Sequence, residues 1–129
     1  MTHEMEVRVY YEDTDLAGIV YYANYLRFIE RGRTEWVRSL GIDQGVLKRE
    51  TGLVFAVRRI EADYRIPAVF DDILRVVTTP ERVTGARIIV RQEVWRAEEL
   101  IFDAIVTLAI LTPEGRPGRL PADYRQRLA

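Results

Sequence analysis

The chain contains no cysteine, one histidine (His3), one serine (Ser39), one asparagine (Asn24) and one lysine (Lys48) among its 129 residues. The missing cysteine removes thiol nucleophiles, disulfides and Cys/His zinc sites, which need several such ligands at close spacing. A Ser-His-acid triad would have to join His3, near the N-terminus, to Ser39, near the end of a predicted helix. Triads require those groups within hydrogen-bond reach. Acid–base or nucleophilic chemistry therefore falls first to carboxylates, with Lys48 and the tyrosines behind them. An excess of positive charge is missing too: 19 Lys+Arg stand against 20 Asp+Glu, a formal net charge of −1. Nucleic-acid binding depends on clustered positive charge, and this balance does not supply it. There is no G-x-G-x-x-G and no P-loop. The G-x-x-G at Gly115–Gly118 carries Pro117 and reads as a turn, unlike the loop of a KH domain. Uncharged runs such as Ala104 to Pro113 are far shorter than the ~20 residues that span a bilayer. The N-terminus lacks the basic and apolar regions of a secretory signal. These absences predict a cytoplasmic protein with no nucleic-acid partner and no membrane insertion.

What is present fits a single domain over residues 1–129. At 48% apolar residues, a chain of this length buries roughly two-thirds of its unfolded surface. Residues 5–11 alternate (Val7, Val9 and Tyr11 against Glu6, Arg8 and Tyr10) and predict a strand. The acidic, Gly-terminated stretch Glu12 to Gly18 predicts a loop. From Ala23 to Leu40 the period changes: Tyr25, Phe28, Ile29, Gly32, Trp36 and Leu40 fall on one face of an amphipathic helix. Asn24 is placed to cap it and Gly41 to end it. Gly32, inside the apolar stripe, predicts close approach to whatever the helix packs on. Arg33 at the stripe's edge predicts a partly buried pair-former. Residues 43–51 predict a short helix or turn. Strands are predicted over 59–66, 73–79, 87–96 and 100–112, the last interior to the sheet, and a short helix from Pro121. One strand, a long helix and four more strands predict an α+β, two-layer domain. The outer sheet face mixes charge (Arg59, Glu61, Asp63, Arg91, Glu93) with Trp95 and Ile89, which predicts a partly covered face and hence an oligomer.

The chemistry concentrates in Tyr11 to Leu26, YEDTDLAGIVYYANYL, where three acids and a glycine join strand to helix. The plainer reading is a solvated acidic loop favoured by the helix dipole. The sharper reading holds one acid beside the helix N-terminus, whose free N–H groups stabilise an oxyanion. Asp15 is the best placed, because Leu16-Ala17-Gly18-Ile19-Val20 after it is apolar and predicts a wall against water. Glu12 and Asp13 read as loop-shaping groups, Glu30 as a surface ion-pair residue, and Phe28 and Trp36 as core.

This segment resembles the signature of the 4-hydroxybenzoyl-CoA thioesterase family of hot-dog folds, and within it the Tol-Pal-associated acyl-CoA thioesterase branch. FIERGRTEWVRSLGI (28–42), DYRIPAVFDDIL (63–74) and GRPGRLP (115–121) extend the likeness in collinear order. The resemblance implies a hot-dog fold, with a long central helix wrapped by a five-stranded antiparallel sheet. It implies hydrolysis of an acyl-CoA thioester to free acid and CoA, with acyl carrier protein as an alternative thiol carrier. It also implies a homodimer or homotetramer with active sites at the dimer interface. By the same likeness Asp15 is the catalytic carboxylate, acting as nucleophile or as general base on water. The backbone N–H of Tyr22 polarises the thioester carbonyl, and Gly18, Ile19 and Val20 shape the approach. No metal or cofactor is implied, CoA being part of the substrate, and the Arg-rich strands offer contacts for its phosphates. Tyr22 stands where the Tol-Pal branch commonly carries His; a backbone N–H survives that exchange, a side-chain proton relay does not. The competing reading is a non-catalytic acyl-binding or interaction protein of the cell envelope. A dehydratase of the same fold wants a histidine near an acid, and this chain offers only His3.

Overall fold

Apolar periods of two and of 3.6 divide the sequence, and the elements follow that division. The structure, a computed structural model, describes residues 1–129. Strand β1 (His3–Arg8) leads through the acidic loop into α1 (Asn24–Ser39) and α2 (Gln44–Thr51). Then come β2 (Val54–Tyr64), β3 (Ile73–Val83), β4 (Arg87–Arg96), β5 (Glu99–Leu111) and a last helix, α3 (Ala122–Leu128). The five strands form one antiparallel sheet in the order β1-β3-β4-β5-β2. Helix α1 lies across β1, β3 and β4, so β2 is left at the far edge. The predicted α+β class and the interior place of β5 both hold.

The strand boundaries differ from the sequence reading for local reasons. The first strand stops at Arg8 because the Asp13 carboxylate accepts the Tyr10 N–H at 2.8 Å and draws residues 11–13 into one 3-10 turn. Strand β2 starts at Val54 rather than 59, and a bulge between Val57 and Arg59 resets its inside–outside phase. A bulge breaks the alternation by which a strand is recognised in sequence. Strand β3 runs past Pro80 to Val83, with a bulge between Pro80 and Arg82. Strand β1 pairs only as far as Thr78, so Pro80 has no partner on the β1 side of β3 and pairs only Val90 of β4, next to the bulge.

The core lies between α1 and the sheet. Tyr25, Phe28, Ile29, Trp36 and Val37 from the helix meet Leu74, Val76, Ile88, Val90, Val94 and Val106. Fully burying a side chain of this size stabilises by roughly 1.5–3 kcal/mol, so this stripe anchors the helix. At its centre the backbone of Gly32 rides directly over β3: a Cβ there would sit 2.6 Å from Val76 Cγ1 and 3.2 Å from Thr78 Oγ1. Beside it the buried Gln92 side chain donates from Nε2 to the Ile29 carbonyl (2.8 Å) and to Thr78 Oγ1 (2.9 Å). Its Oε1 accepts from Arg33 Nη1 at 2.9 Å. The partner of half-buried Arg33 is thus an amide rather than an acid, and burial holds the guanidinium pKa below its ordinary value.

Candidate active site

The stretch between β1 and α1 is shaped by its own acids. After the 3-10 turn, Thr14 and Val20 face each other as an antiparallel bridge. The Asp15 N–H donates to the Ile19 carbonyl (3.0 Å), and the Gly18 N–H returns to the Asp15 carbonyl (2.9 Å). Gly18 sits at φ +80°, a conformation that glycine adopts without steric penalty. The Asp15 carboxylate closes the turn by accepting the Ala17 N–H at 2.9 Å, which leaves its second oxygen uncommitted. The turn is docked onto the segment between β2 and β3: Val20 N–H donates to the Ala68 carbonyl at 2.9 Å, and Ile19 bridges Val69. Arg96 braces that segment, donating to the Pro67 carbonyl (3.1 Å) and the Asp72 carboxylate (2.9 Å).

Helix α1 enters beside this turn. The Asp13 carbonyl accepts both the Tyr21 N–H and Asn24 Nδ2, each at 2.9 Å. Asn24 is therefore not the cap that its position in the sequence predicts. It is the first helical residue, buried, and it ties the helix to the loop, while Ala23 precedes it with no side-chain cap. The Tyr22 N–H has no acceptor from backbone or side chain.

Asp15, Ile19, Val20 and Tyr22 line one cleft of about 390 Å³, closed on its other side by Tyr25, Tyr64, Ile66, Pro67 and Ile101. Four of the five residues named from the sequence thus meet in one place, and the fifth, Gly18, forms the turn that presents Asp15. The cleft is mainly apolar, and Asp15 is its one carboxylate; Arg65 on its rim is bonded to Asp103 at 2.6 Å. An apolar cleft with few convergent polar groups is the usual form of a small-molecule site. Two other carboxylates border clefts, each with one oxygen bonded as in Asp15, and the more apolar lining is what sets the Asp15 cleft apart. Asp43 opens onto a larger, polar cleft of about 490 Å³, where its Oδ1 accepts the Val46 N–H and caps α2 at 3.0 Å. Glu30 accepts the Thr34 hydroxyl at 2.6 Å. The expected wall around Asp15 is only partly there. Ile19 and Val20 supply it, whereas Leu16 is fully exposed and Asp15, Ala17 and Gly18 face solvent. A five-residue apolar run can turn only one side inward, and the tight turn points its first half outward.

The sequence reading missed an aromatic cluster that floors the cleft. Tyr25 stacks on Phe102 (centroids 5.1 Å apart, 10° between planes), and Tyr64 meets both edge-on at 5.5 and 5.0 Å. The buried Tyr25 hydroxyl accepts the Ala68 N–H at 3.1 Å. The Tyr64 hydroxyl donates to the Tyr22 carbonyl at 3.0 Å. Burial raises both phenol pKa values above the ordinary tyrosine value, for Tyr64 with help from Tyr22 and Tyr25 beside it. Tyr64 shares the phase of Ile60 and Ala62 but stays about half exposed, so no burial pattern in the sequence called for a partner to its hydroxyl.

A five-stranded antiparallel sheet in this order, curled around one long helix, is the hot-dog fold expected from the sequence. A family model for the thioesterase superfamily matches residues 17–102. The acyl-CoA thioesterase YbgC of Haemophilus influenzae is 45% identical over 103 residues, covering 80% of this chain and 76% of the relative. A probable thioesterase from Bartonella henselae superposes with a TM-score of 0.89 at 38% identity, covering 94% of this chain and all of the other. A 4-hydroxybenzoyl-CoA thioesterase solved with 4-hydroxybenzoyl-CoA shares the fold at a TM-score of 0.93 and 23% identity, covering 99% of each chain. The chain belongs to the thioesterase superfamily, as the segment 11–26 and its collinear companions led us to expect.

Proposed function

We propose that this protein hydrolyses acyl-CoA thioesters, with Asp15 as the essential carboxylate and the Tyr22 N–H as the group that polarises the thioester carbonyl. The observation that carries the reading is that the two open onto one apolar cleft, Asp15 with a free carboxylate oxygen and Tyr22 with an N–H that has no acceptor. As nucleophile, Asp15 attacks the carbonyl carbon, the oxyanion gathers on the Tyr22 N–H, and CoA leaves as thiolate. Water then cleaves the resulting mixed anhydride, returning the carboxylate and releasing the acid. As general base, Asp15 takes a proton from the water that attacks the same carbon. Either route develops charge on the carbonyl oxygen, where a fixed donor contributes most. Gly18, Ile19 and Val20 shape the entry, and no metal or cofactor takes part. The exposed Leu16 and the uncovered edge of β2 favour pairing of two copies, in which the partner completes the wall around Asp15. The reading is of a cytoplasmic enzyme.

The test is thiol release from short, long and aromatic acyl-CoAs and from an acyl carrier protein thioester, comparing the parent with Asp15→Asn. The chain has no cysteine, so a thiol reagent detects only the liberated carrier thiol. The expected result is turnover by the parent and a loss of about a hundredfold or more in the variant, the scale at which a primary catalytic group acts. Full activity in Asp15→Asn removes Asp15 from the mechanism. An inactive parent on every substrate favours the acyl-binding reading.

A further inference from the structure

The Leu26 N–H, in the first turn of α1 where backbone donors lack an intrahelical partner, bonds the Ala23 carbonyl at 3.1 Å, and the Asn24 N–H bonds Tyr21 at 2.8 Å. No backbone N–H reaches the Tyr22 carbonyl, and its one partner is the Tyr64 hydroxyl at 3.0 Å. A side chain from the edge strand β2 is therefore the partner of the carbonyl just ahead of α1, at the residue whose own N–H opens onto the cleft.

We propose that Tyr64 is a positioning residue for the carbonyl-polarising turn: its hydroxyl holds the Tyr22 carbonyl and thereby fixes the direction of the Tyr22 N–H. The inference rests on the assignment of Tyr22 given above. Two peptide planes meet at Tyr22, one ending in its carbonyl and the other carrying its N–H, and they are joined only through its φ and ψ. Releasing the carbonyl frees the Tyr22–Ala23 peptide plane to rotate, and the neighbouring plane turns with it. An oxyanion donor works only when aimed at the place the charge develops, so a small rotation there lowers the rate while leaving the cleft intact. The Tyr64 ring is itself held by Tyr25 and Phe102, edge-on to both. Burial favours the protonated phenol, so the donor persists across neutral pH.

Tyr64→Phe removes the hydroxyl and keeps the ring. The expected result is a kcat about tenfold lower with KM within about twofold, tenfold being the effect of roughly 1.4 kcal/mol in the barrier. Melting should shift by no more than about 2 °C, since the aromatic packing is retained. A kcat within twofold of the parent overturns the proposal. A second readout separates its failure from that of the Tyr22 assignment. In Asp15→Asn loaded with an aromatic acyl-CoA labelled at the thioester carbonyl, the infrared carbonyl stretch should lie lower than in water. In Asp15→Asn/Tyr64→Phe most of that lowering should vanish. An equal lowering in both proteins refutes the role of Tyr64 alone. No lowering in either refutes the polarising role of Tyr22, and this proposal with it.

Discussion

Replacing Gly32 by alanine sets two physical effects of opposite sign against each other. In a helix interior, alanine is favoured over glycine by about 1 kcal/mol, so propensity alone predicts a more stable protein. The structure predicts the reverse. The new Cβ would lie 2.6 Å from Val76 Cγ1, 3.2 Å from Thr78 Oγ1 and 3.4 Å from Gln92 Nε2. Carbon atoms in contact rest at about 3.5–4.0 Å, so Val76 must retreat by about 1 Å. Val76, Thr78 and Gln92 are all fully buried. Overpacking of this kind costs about 1–3 kcal/mol. Lifting the helix instead stretches the Gln92 bonds to the Ile29 carbonyl and Thr78, and a buried polar group left without its partner costs about 1–3 kcal/mol. Subtracting the helix gain leaves a net loss of up to about 2 kcal/mol. For a chain between the two size classes usually tabulated, that is a drop in Tm of up to roughly 8 °C. Urea unfolding followed by circular dichroism measures the free energy directly, and an unchanged m-value would confirm that the native state is what lost stability. A stability raised by the full helix gain of about 1 kcal/mol would refute the close approach of α1 to β3.

Two further substitutions probe the supports of the site. Tyr25→Phe strands the buried Ala68 N–H and should cost about 1–3 kcal/mol, read by thermal melting and by faster hydrogen exchange at Ala68. The same phenol makes stability fall in alkali. Its folded pKa lies above the ordinary value of 10.0 because burial disfavours the phenolate, so its contribution is full below that pH. The unfolded chain loses the proton first, and the contribution is lost as pH rises through the folded pKa. Tyr25→Phe should flatten that decline, and an unaltered slope would refute the assignment. At Asp71, φ is +75°, a conformation open to glycine and hostile to β-branched residues. Asp71→Gly should stay within about 1 kcal/mol of the parent, since its pair with Arg8 is exposed and such pairs contribute little. Asp71→Val should lose about 2 kcal/mol. Equal stabilities in denaturant melts would refute the strained turn.

The parts of this molecule that were legible in its sequence are those dictated by a single local period. The stripe of Tyr25, Phe28, Ile29, Gly32 and Trp36 gave α1 its buried face, and the glycine within it gave the close approach to β3. Alternation gave the strands wherever the phase ran unbroken, and failed at the bulges after Val57 and Pro80, where an extra residue shifts every later side chain to the other face. Single side chains were legible only when their partners were also local. Asn24 reads as a cap because asparagine at a helix start usually bonds forward along its own helix. Here it bonds backward to the Asp13 carbonyl, a partner supplied by the fold of the loop. Arg33 reads as one half of an ion pair, because only the sheet brings Gln92 to it.

The same division explains why the cleft was visible from one side only. Asp15, Ile19, Val20 and Tyr22 stand within eight consecutive residues, so the strand-to-helix segment that carries them announced that wall. The opposite wall comes from Tyr64, Ile66 and Pro67, together with Ile101 of β5, and reaches the first only because β2 pairs with β5 while the segment after it docks on Val20. Tyr25 and Tyr64 join the two halves. One phenol accepts from the docked segment and the other donates to the helix entry, so each ties a turn near Asp15 to the sheet. Both were hidden in sequence for the same reason: within an apolar pattern a tyrosine reads as bulk, and its hydroxyl takes on meaning only when the long-range partner is known. The residues proposed to act on the carbonyl thus lie in one contiguous segment, whereas the residue proposed to aim them comes from a distant strand. That difference is why Tyr64→Phe, with its ring contacts unchanged, is the sharper test of how this cleft is built.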